Sequence, residues 1–274
     1  MIVIAGSSKD TASSTIKKQI IKNCSFEKTA ESFQNTPIFS SQIDGKAVKL
    51  ATLRDETTYA QDITDFFTDA ELIVFMSRHS SASGTPTLSV HTPGNLKEAK
   101  LGGISRNVSI SPANSMREAL KTMARMRDEM QLEYEVCYEV THHGPSLDVP
   151  AMFVELGSSF EQWKDTKAAK AVAHATIESI SSFDRFPAKA VLGIGGPHYN
   201  EKFTKIALNE NLAFGHMIPK YAIAGLDTEM LKQCIEKTLE KVELIVLDWK
   251  GIKGAHKSRL VKMLEKIGTP FQKV

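Results

Sequence analysis

Two adjacent imidazoles, His142 and His143, stand in Thr-His-His-Gly-Pro at residues 141–145, and the carboxylate of Glu155 follows in the next apolar run. Ahead of them Tyr134, Val136, Tyr138 and Val140 alternate with Glu133, Glu135, Cys137 and Glu139, the period of a strand with one polar face. The imidazole pair therefore falls where a strand gives way to a loop. Successive side chains on extended backbone point to opposite sides, so one imidazole is expected to face the reacting centre and the other to support it. After Pro150, residues 151–156 form a second short apolar run that carries Glu155 and stops at Gly157. Imidazoles and a carboxylate leaving neighbouring strand ends can hold a metal ion or take a proton from water.

Of the eight histidines, His79, His91, His198 and His216 join His142 at or near predicted strand ends, whereas His174 lies among small residues of an Ala-rich helix and reads as packed or exposed. In a doubly wound sheet such strand ends converge on one crevice. The alternative for each is a histidine that merely satisfies a loop or a carbonyl, and the sequence leaves both open. The corner Gly195-Gly196-Pro197-His198-Tyr199 permits a sharp turn. Its N–H groups, or that of Gly144, can stabilise an oxyanion. Neither Gly-x-Ser-x-Gly nor His-Glu-x-x-His occurs and no cysteine offers a nucleophilic setting. Water is the expected nucleophile, with a histidine or Glu155 as its base.

A scaffold must gather these groups, and the sequence predicts one in which strands and helices alternate. Strands are expected at residues 2–5, 71–76, 88–91, 107–110, 134–140, 151–156, 190–194, 212–218 and 244–247, and strand-like pairing at 26–53 with a turn at Asp44-Gly45. Helices are expected at 12–22, 58–67, 115–131, 167–181, 200–208, 228–241 and 255–267. The third opens on a capping-box spacing, Ser115-Met116-Arg117-Glu118, and its methionines read as core. That succession specifies an α/β fold, a three-layer sandwich around a mixed, largely parallel sheet, in one domain over residues 1–274. The segment 77–95 reads equally as a surface loop and as a ligand-binding sheet edge. Gly6-Ser7-Ser8 lacks the spacing of a phosphate-binding loop.

With 42% hydrophobic and 24% charged residues the chain can bury a large core. A net charge of +2 means that a nucleic-acid contact needs a local basic patch. The three cysteines form no Cys-x-x-Cys pair, which suits a reducing compartment. No apolar stretch approaches the roughly 18–20 residues that span a bilayer, and the first residues lack the pattern of a signal peptide. A soluble, cytoplasmic monomer is expected.

Several multi-residue motifs in one order resemble a known family. Ser-Arg-His-Ser-Ser-Ala-Ser-Gly-Thr-Pro (77–86), Val-His-Thr-Pro-Gly-Asn (90–95), Thr-His-His-Gly-Pro (141–145), Gly-Gly-Pro-His-Tyr (195–199) and Gly-His-Met-Ile-Pro-Lys-Tyr-Ala (215–222) are similar to the archaeal and plant type D-aminoacyl-tRNA deacylases, over nearly the whole chain. The resemblance implies hydrolysis of the ester joining a D-amino acid to tRNA, zinc dependence, and a fold similar to peptidyl-tRNA hydrolases and phosphorylase-like hydrolases. With zinc implied, residue type and position point to His142, Glu155, His198 and His216 as ligands, and His142, His143, Glu155 and His198 as the catalytic set. The motifs also put His79, His91, Gly195, Gly196 and Lys220 against substrate. Lys250, Lys253, Lys257 and Arg259 become candidates for acceptor-stem phosphates, or form a merely solvated basic face. Two other classes fit the residues taken alone: a metal-dependent peptidase or aminohydrolase on a similar fold, and a non-catalytic RNA-binding module.

Overall fold

The computed structural model describes residues 1–274. The first half of the chain builds a sheet. β1 (Ile2–Ser7) is buried along its whole length and leads into α1 (Thr11–Asn23), whose N-cap Asp10 accepts the Ser13 N–H at 3.1 Å. β2 (Glu27–Phe33), β3 (Thr36–Ile43) and β4 (Lys46–Leu53) form an antiparallel meander. Its second turn is Asp44-Gly45, with both residues at positive φ (46° and 78°), as a two-residue hairpin of this hand requires. The helix expected at 58–67 is a single tight turn followed by the short α2 (Ile63–Phe66).

β5 (Leu72–Arg78), β6 (Thr87–His91), β9 (Glu135–Tyr138) and β10 (Ala151–Gly157) complete an eight-stranded sheet in the order β2-β3-β4-β1-β5-β10-β6-β9. Between them lie the small ribbon β7 (Gly94–Asn95) and β8 (Asn107–Val108), and the long helix α3 (Ala113–Glu129). After β10 come α4 (Phe160–Trp163), α5 (Thr166–Ser181), β11 (Lys189–Ile194), α6 (Glu201–Asn209), β12 (Leu212–Ile218), α7 (Thr228–Glu236), β13 (Leu244–Leu247), α8 (Gly254–Ile267) and β14 (Phe271–Lys273). The last four strands make an all-parallel sheet in the order β12-β11-β13-β14.

The period-two alternation of strands divides the core. Ile2, Ile4, Val74 and Met76 face α1, α3 and α5, whereas Val3, Ala5, Ile73 and Phe75 pack with Ile63 and Phe67 on the other side. Leu192, Ile194, Ile245 and Leu247 of the second sheet pack with residues of α7 and α8. The fold is α/β with helices on both sides of a mixed sheet.

Two features differ from the sequence reading. The expected single sheet is two sheets, because β9 stops at Tyr138 and the chain then crosses: Val140 N–H donates to His198 O (3.1 Å) and Thr141 N–H to Met217 O (2.9 Å). Residues 139–141 thus sew the sheets together at a seam. Ser115 does not open α3. That helix starts two residues earlier, at Ala113, where the Glu240 carboxylate accepts the N–H groups of Ala113 (3.0 Å) and Asn114 (2.8 Å). A cap supplied from so far along the chain leaves no local signature.

Candidate active site

The seam carries the site. Arg78 ends β5 and His79 follows it, His91 ends β6, Glu139 to His143 follow β9, Glu155 lies in β10, and His198 follows β11. In the sheet register Glu155 stands opposite Ser77 on one side and Ser89 on the other, so small residues flank it and leave room for imidazoles. The cleft over these strand ends has a volume of about 570 Å³ and is walled by Arg78, His79, Glu139, His142, His143, Glu155, His198 and Tyr199, among others. Asp10 braces its rim by accepting the Arg78 N–H at 2.7 Å while capping α1.

Glu139 is the hub, and sequence reasoning missed it. The alternation ahead of the histidines placed it on a polar strand face, yet it is 1% exposed. Its Oε1 accepts Ser89 Oγ–H at 2.5 Å and the His79 Nδ1–H at 3.2 Å, and its Oε2 accepts from His198 Nε2 at 2.8 Å and stands 3.6 Å from His142 Nε2. The available signal was its place three residues before His142.

Electrostatics follow from that hub. Burial opposes charge on His79, but the Glu139 and Glu155 carboxylates overcome it and push the imidazole up to about 11. Burial likewise opposes the Glu139 anion, and bonds from His198 and His79 hold it well below the usual carboxylate range. Glu155, against His79 and His91, is also lowered. Charged His79 therefore compensates two buried anions, and its Nε2–H reaches Tyr199 Oη at 3.0 Å. Burial and the neighbouring imidazoles push His142 well down and His143 to about 4, so both are neutral.

Neutral imidazoles present lone pairs. His142 donates Nδ1–H to Val140 O at 2.7 Å, which fixes its tautomer and leaves Nε2 free toward the cleft. His143 Nδ1 is buried without a hydrogen-bond partner, and so is His91 Nε2, which has a Glu155 oxygen 3.7 Å away. Burial opposes charge on the His91 imidazole too, but unlike its two neighbours it is raised, by the Glu155 carboxylate. The expected divergence of His142 and His143 does not occur. Their ring centroids are 3.9 Å apart, because His143 takes a φ of +29° and the chain folds over at Gly144. A non-glycine residue held in that region is a strained conformation of the kind that clusters at functional sites. Donor atoms of three sets lie close enough for a shared cation: His91, His142 and His143; Glu139, His142 and His198; His79, Glu139 and Glu155.

The structure brings His79, His91, His142, His143, Glu155 and His198 together. It does not bring His216 with them. That imidazole is fully buried in β12, bonded to Thr141 Oγ1 and to Lys237 O, both at 3.1 Å, a structural role. The expected ligand set His142, Glu155, His198 and His216 is therefore not one site. Two of the three glycine N–H groups offered for an oxyanion are taken: Gly195 donates to Ile218 O (2.8 Å) and Gly144 to Leu101 O (2.9 Å). Gly196 and Lys220 shape the corner instead, where Lys220 N–H donates to Gly196 O at 2.9 Å, and the Lys220 side chain is exposed. Lys250, Lys253 and Lys257 lie after β13, outside the cleft wall, and Lys257 sits over the Trp249 ring at 4.5 Å. Arg259 is spent on the carbonyls of Ile223, Ala224 and Leu226. His174 sits in α5, half-buried, away from the cluster.

An α/β scaffold with a buried imidazole–carboxylate cluster open to a deep cleft defines a hydrolase-type centre. Comparison with known proteins gives its kind. The family profile for D-aminoacyl-tRNA deacylase matches residues 66–272. A D-aminoacyl-tRNA deacylase of Pyrococcus abyssi is 37% identical over 280 residues, covering 100% of both chains, and one of Thermococcus kodakarensis is 37% identical over 277 residues, covering 99% of both. A crystal structure of a conserved protein of unknown function superposes with a TM-score of 0.89 at 30% identity, covering 100% of this chain and 95% of that one. The chain belongs to the D-aminoacyl-tRNA deacylase family, and it is an enzyme of the hydrolase class. No helix is long and apolar enough to cross a membrane.

Proposed function

We propose that this enzyme hydrolyses the ester between a D-amino acid and tRNA, with zinc assisting. The observation that supports it is the Glu139 hub, which joins His79, His142 and His198 at the mouth of a cleft, in a chain related over its full length to named deacylases. An aminoacyl ester needs a positioned water, a base and compensation for the developing oxyanion charge. His198 suits the base: Glu139 holds its Nε2–H, so Nδ1 carries the lone pair that takes the water's proton. Glu139 keeps that imidazole oriented and compensates its protonated form, while the bond from His79 holds the Glu139 carboxylate in place. Glu155 stays ionised behind them and fixes His79.

The donor set fits zinc. His91 and His143, each with a buried ring nitrogen that has no hydrogen-bond partner (Nε2 and Nδ1), bring a donor nitrogen within 4.8 Å of one on His142, and imidazole is a preferred zinc donor. His91, His142 and His143 would hold the ion, with Glu139 and His198 within reach of His142 on its other side. A zinc ion there supplies a lowered water pKa and positive charge for the oxyanion.

The test is release of amino acid from D-Tyr-tRNA and L-Tyr-tRNA. Faster release from the D-ester is expected; equal rates overturn the assignment. Metal analysis of the purified protein, with D-Tyr-tRNA turnover before and after chelation, tests zinc separately: stoichiometric zinc and loss on chelation that zinc restores support it, and full turnover without metal removes it.

A further inference from the structure

The cleft has a second lobe. Leu101, His142 and His143 wall both the carboxylate-lined lobe and a smaller one of about 230 Å³ on the far side of the imidazole pair. The two differ in chemistry. The larger holds Glu139, Glu155 and Glu56, with its cations Arg78 and His79 already paired to them; the smaller is floored by Leu96, Pro219 and Ala222 and rimmed by Lys97, Lys100 and Tyr221. Tyr221 is 57% exposed and Leu101 52% exposed, large apolar surfaces left to solvent at the mouth. Tyr221 Oη stands 3.4 Å from His198 Nδ1, so this ring adjoins the reacting centre.

The substrate of the proposed reaction also has two unlike arms meeting at one ester. One is an amino acid whose ammonium suits carboxylates. The other is a terminal nucleoside whose base stacks on aromatic and apolar surface and whose phosphate seeks lysine. Phosphate in the larger lobe would face Glu139 and Glu155; at the smaller lobe it meets Lys97 and Lys100, which outnumber the one acid there, Glu98.

We propose that the smaller lobe seats the 3′-terminal adenosine of the substrate tRNA, with the base on Tyr221 against Leu101 and the phosphate at Lys97 and Lys100. The proposal rests on the deacylase reading for its biological ligand, but the subsite can be measured without turnover. The probe is adenosine 5′-monophosphate, titrated against the full chain and compared with adenosine. Wild type should bind the nucleotide, and Tyr221→Ala should weaken it by about ten-fold or more, the scale of one lost stacking contact. Tyr221→Phe should retain binding. Joint replacement Lys97→Ala with Lys100→Ala should weaken the nucleotide and leave adenosine unchanged. Phe186→Ala, exposed and outside the cleft, should bind as wild type. With D-Tyr-tRNA, Tyr221→Phe should hold KM near wild type while Tyr221→Ala raises it.

No nucleotide binding by wild type, or equal binding by a folded Tyr221→Ala and a folded Leu101→Ala, overturns the subsite. If the nucleotide binds as described and D-Tyr-tRNA is not hydrolysed, the subsite stands and the deacylase reading falls.

Discussion

His216 shows at residue scale how a motif histidine can be structural. It sits in the segment that resembles the family, yet both ring nitrogens are satisfied by Thr141 and the Lys237 carbonyl, and nothing draws it to the cleft. Burial holds its imidazole at about 4 against 6.5 unperturbed. The unfolded chain therefore binds the proton first as pH falls, so this residue contributes full stability above about 6.5 and loses it on the way down to about 4. Between about pH 7 and pH 5 that linkage is worth about 2 kcal/mol. Denaturant titrations of His216→Gln should show a smaller fall in stability over this range than wild type; an equal fall would place the acid sensitivity elsewhere. Glu139 is the converse case. Its position in the sequence reads as a solvent-facing strand residue, and only the crossing of the chain at the seam buries it. His142, His143 and His198 were legible because Gly-Pro corners fix them at strand ends, whereas their mutual distances were not, since the positive φ of His143 has no sequence mark.

Among elements, most strands and helices follow from apolar period and turn residues, and the strand-loop-helix order puts His79, His91, His142 and His198 at or just after strand ends, as in the structure. What the sequence hid were contacts made at long range: the Glu240 cap on α3, the division into two sheets, and the use of Gly144 N–H by Leu101. Gly144 has φ +79°, and an added Cβ would lie 3.1 Å from Pro93 Cβ. Gly144→Ala should cost about 1–3 kcal/mol of stability and lower turnover through displacement of the imidazole pair, measured by thermal melting and D-Tyr-tRNA hydrolysis together. Unchanged values in both would show that this corner does not position the histidines. Asp227 accepts the Met230 N–H at 2.9 Å at the start of α7 and pairs with Arg106 at 2.7 Å. Asp227→Ala should lose about 1 kcal/mol, mostly the cap, since the ion pair is exposed to water.

Across the whole molecule, the proposed tRNA substrate is a polyanion, and a nearly neutral chain would bind it through local charge. Lys97 and Lys100 at the smaller lobe, and Lys250, Lys253 and Lys257 beyond β13, are the places where we expect it, the first pair for the terminal nucleotide and the second group for the acceptor stem. Each phosphate contact on the duplex stem adds a slope of roughly 0.9 to the dependence of log affinity on log salt. Replacing Lys250, Lys253 and Lys257 together by Ala should flatten the salt dependence of KM for D-Tyr-tRNA; an unchanged slope would remove this face from the tRNA surface. The most direct test of the account is single-turnover release of D-tyrosine from D-Tyr-tRNA by Glu139→Gln, a change that keeps shape and removes the charge at the hub. We predict a folded protein slowed by roughly 10²- to 10⁴-fold, the range of a disabled acid–base system; a folded variant that releases D-tyrosine at the wild-type rate would contradict it.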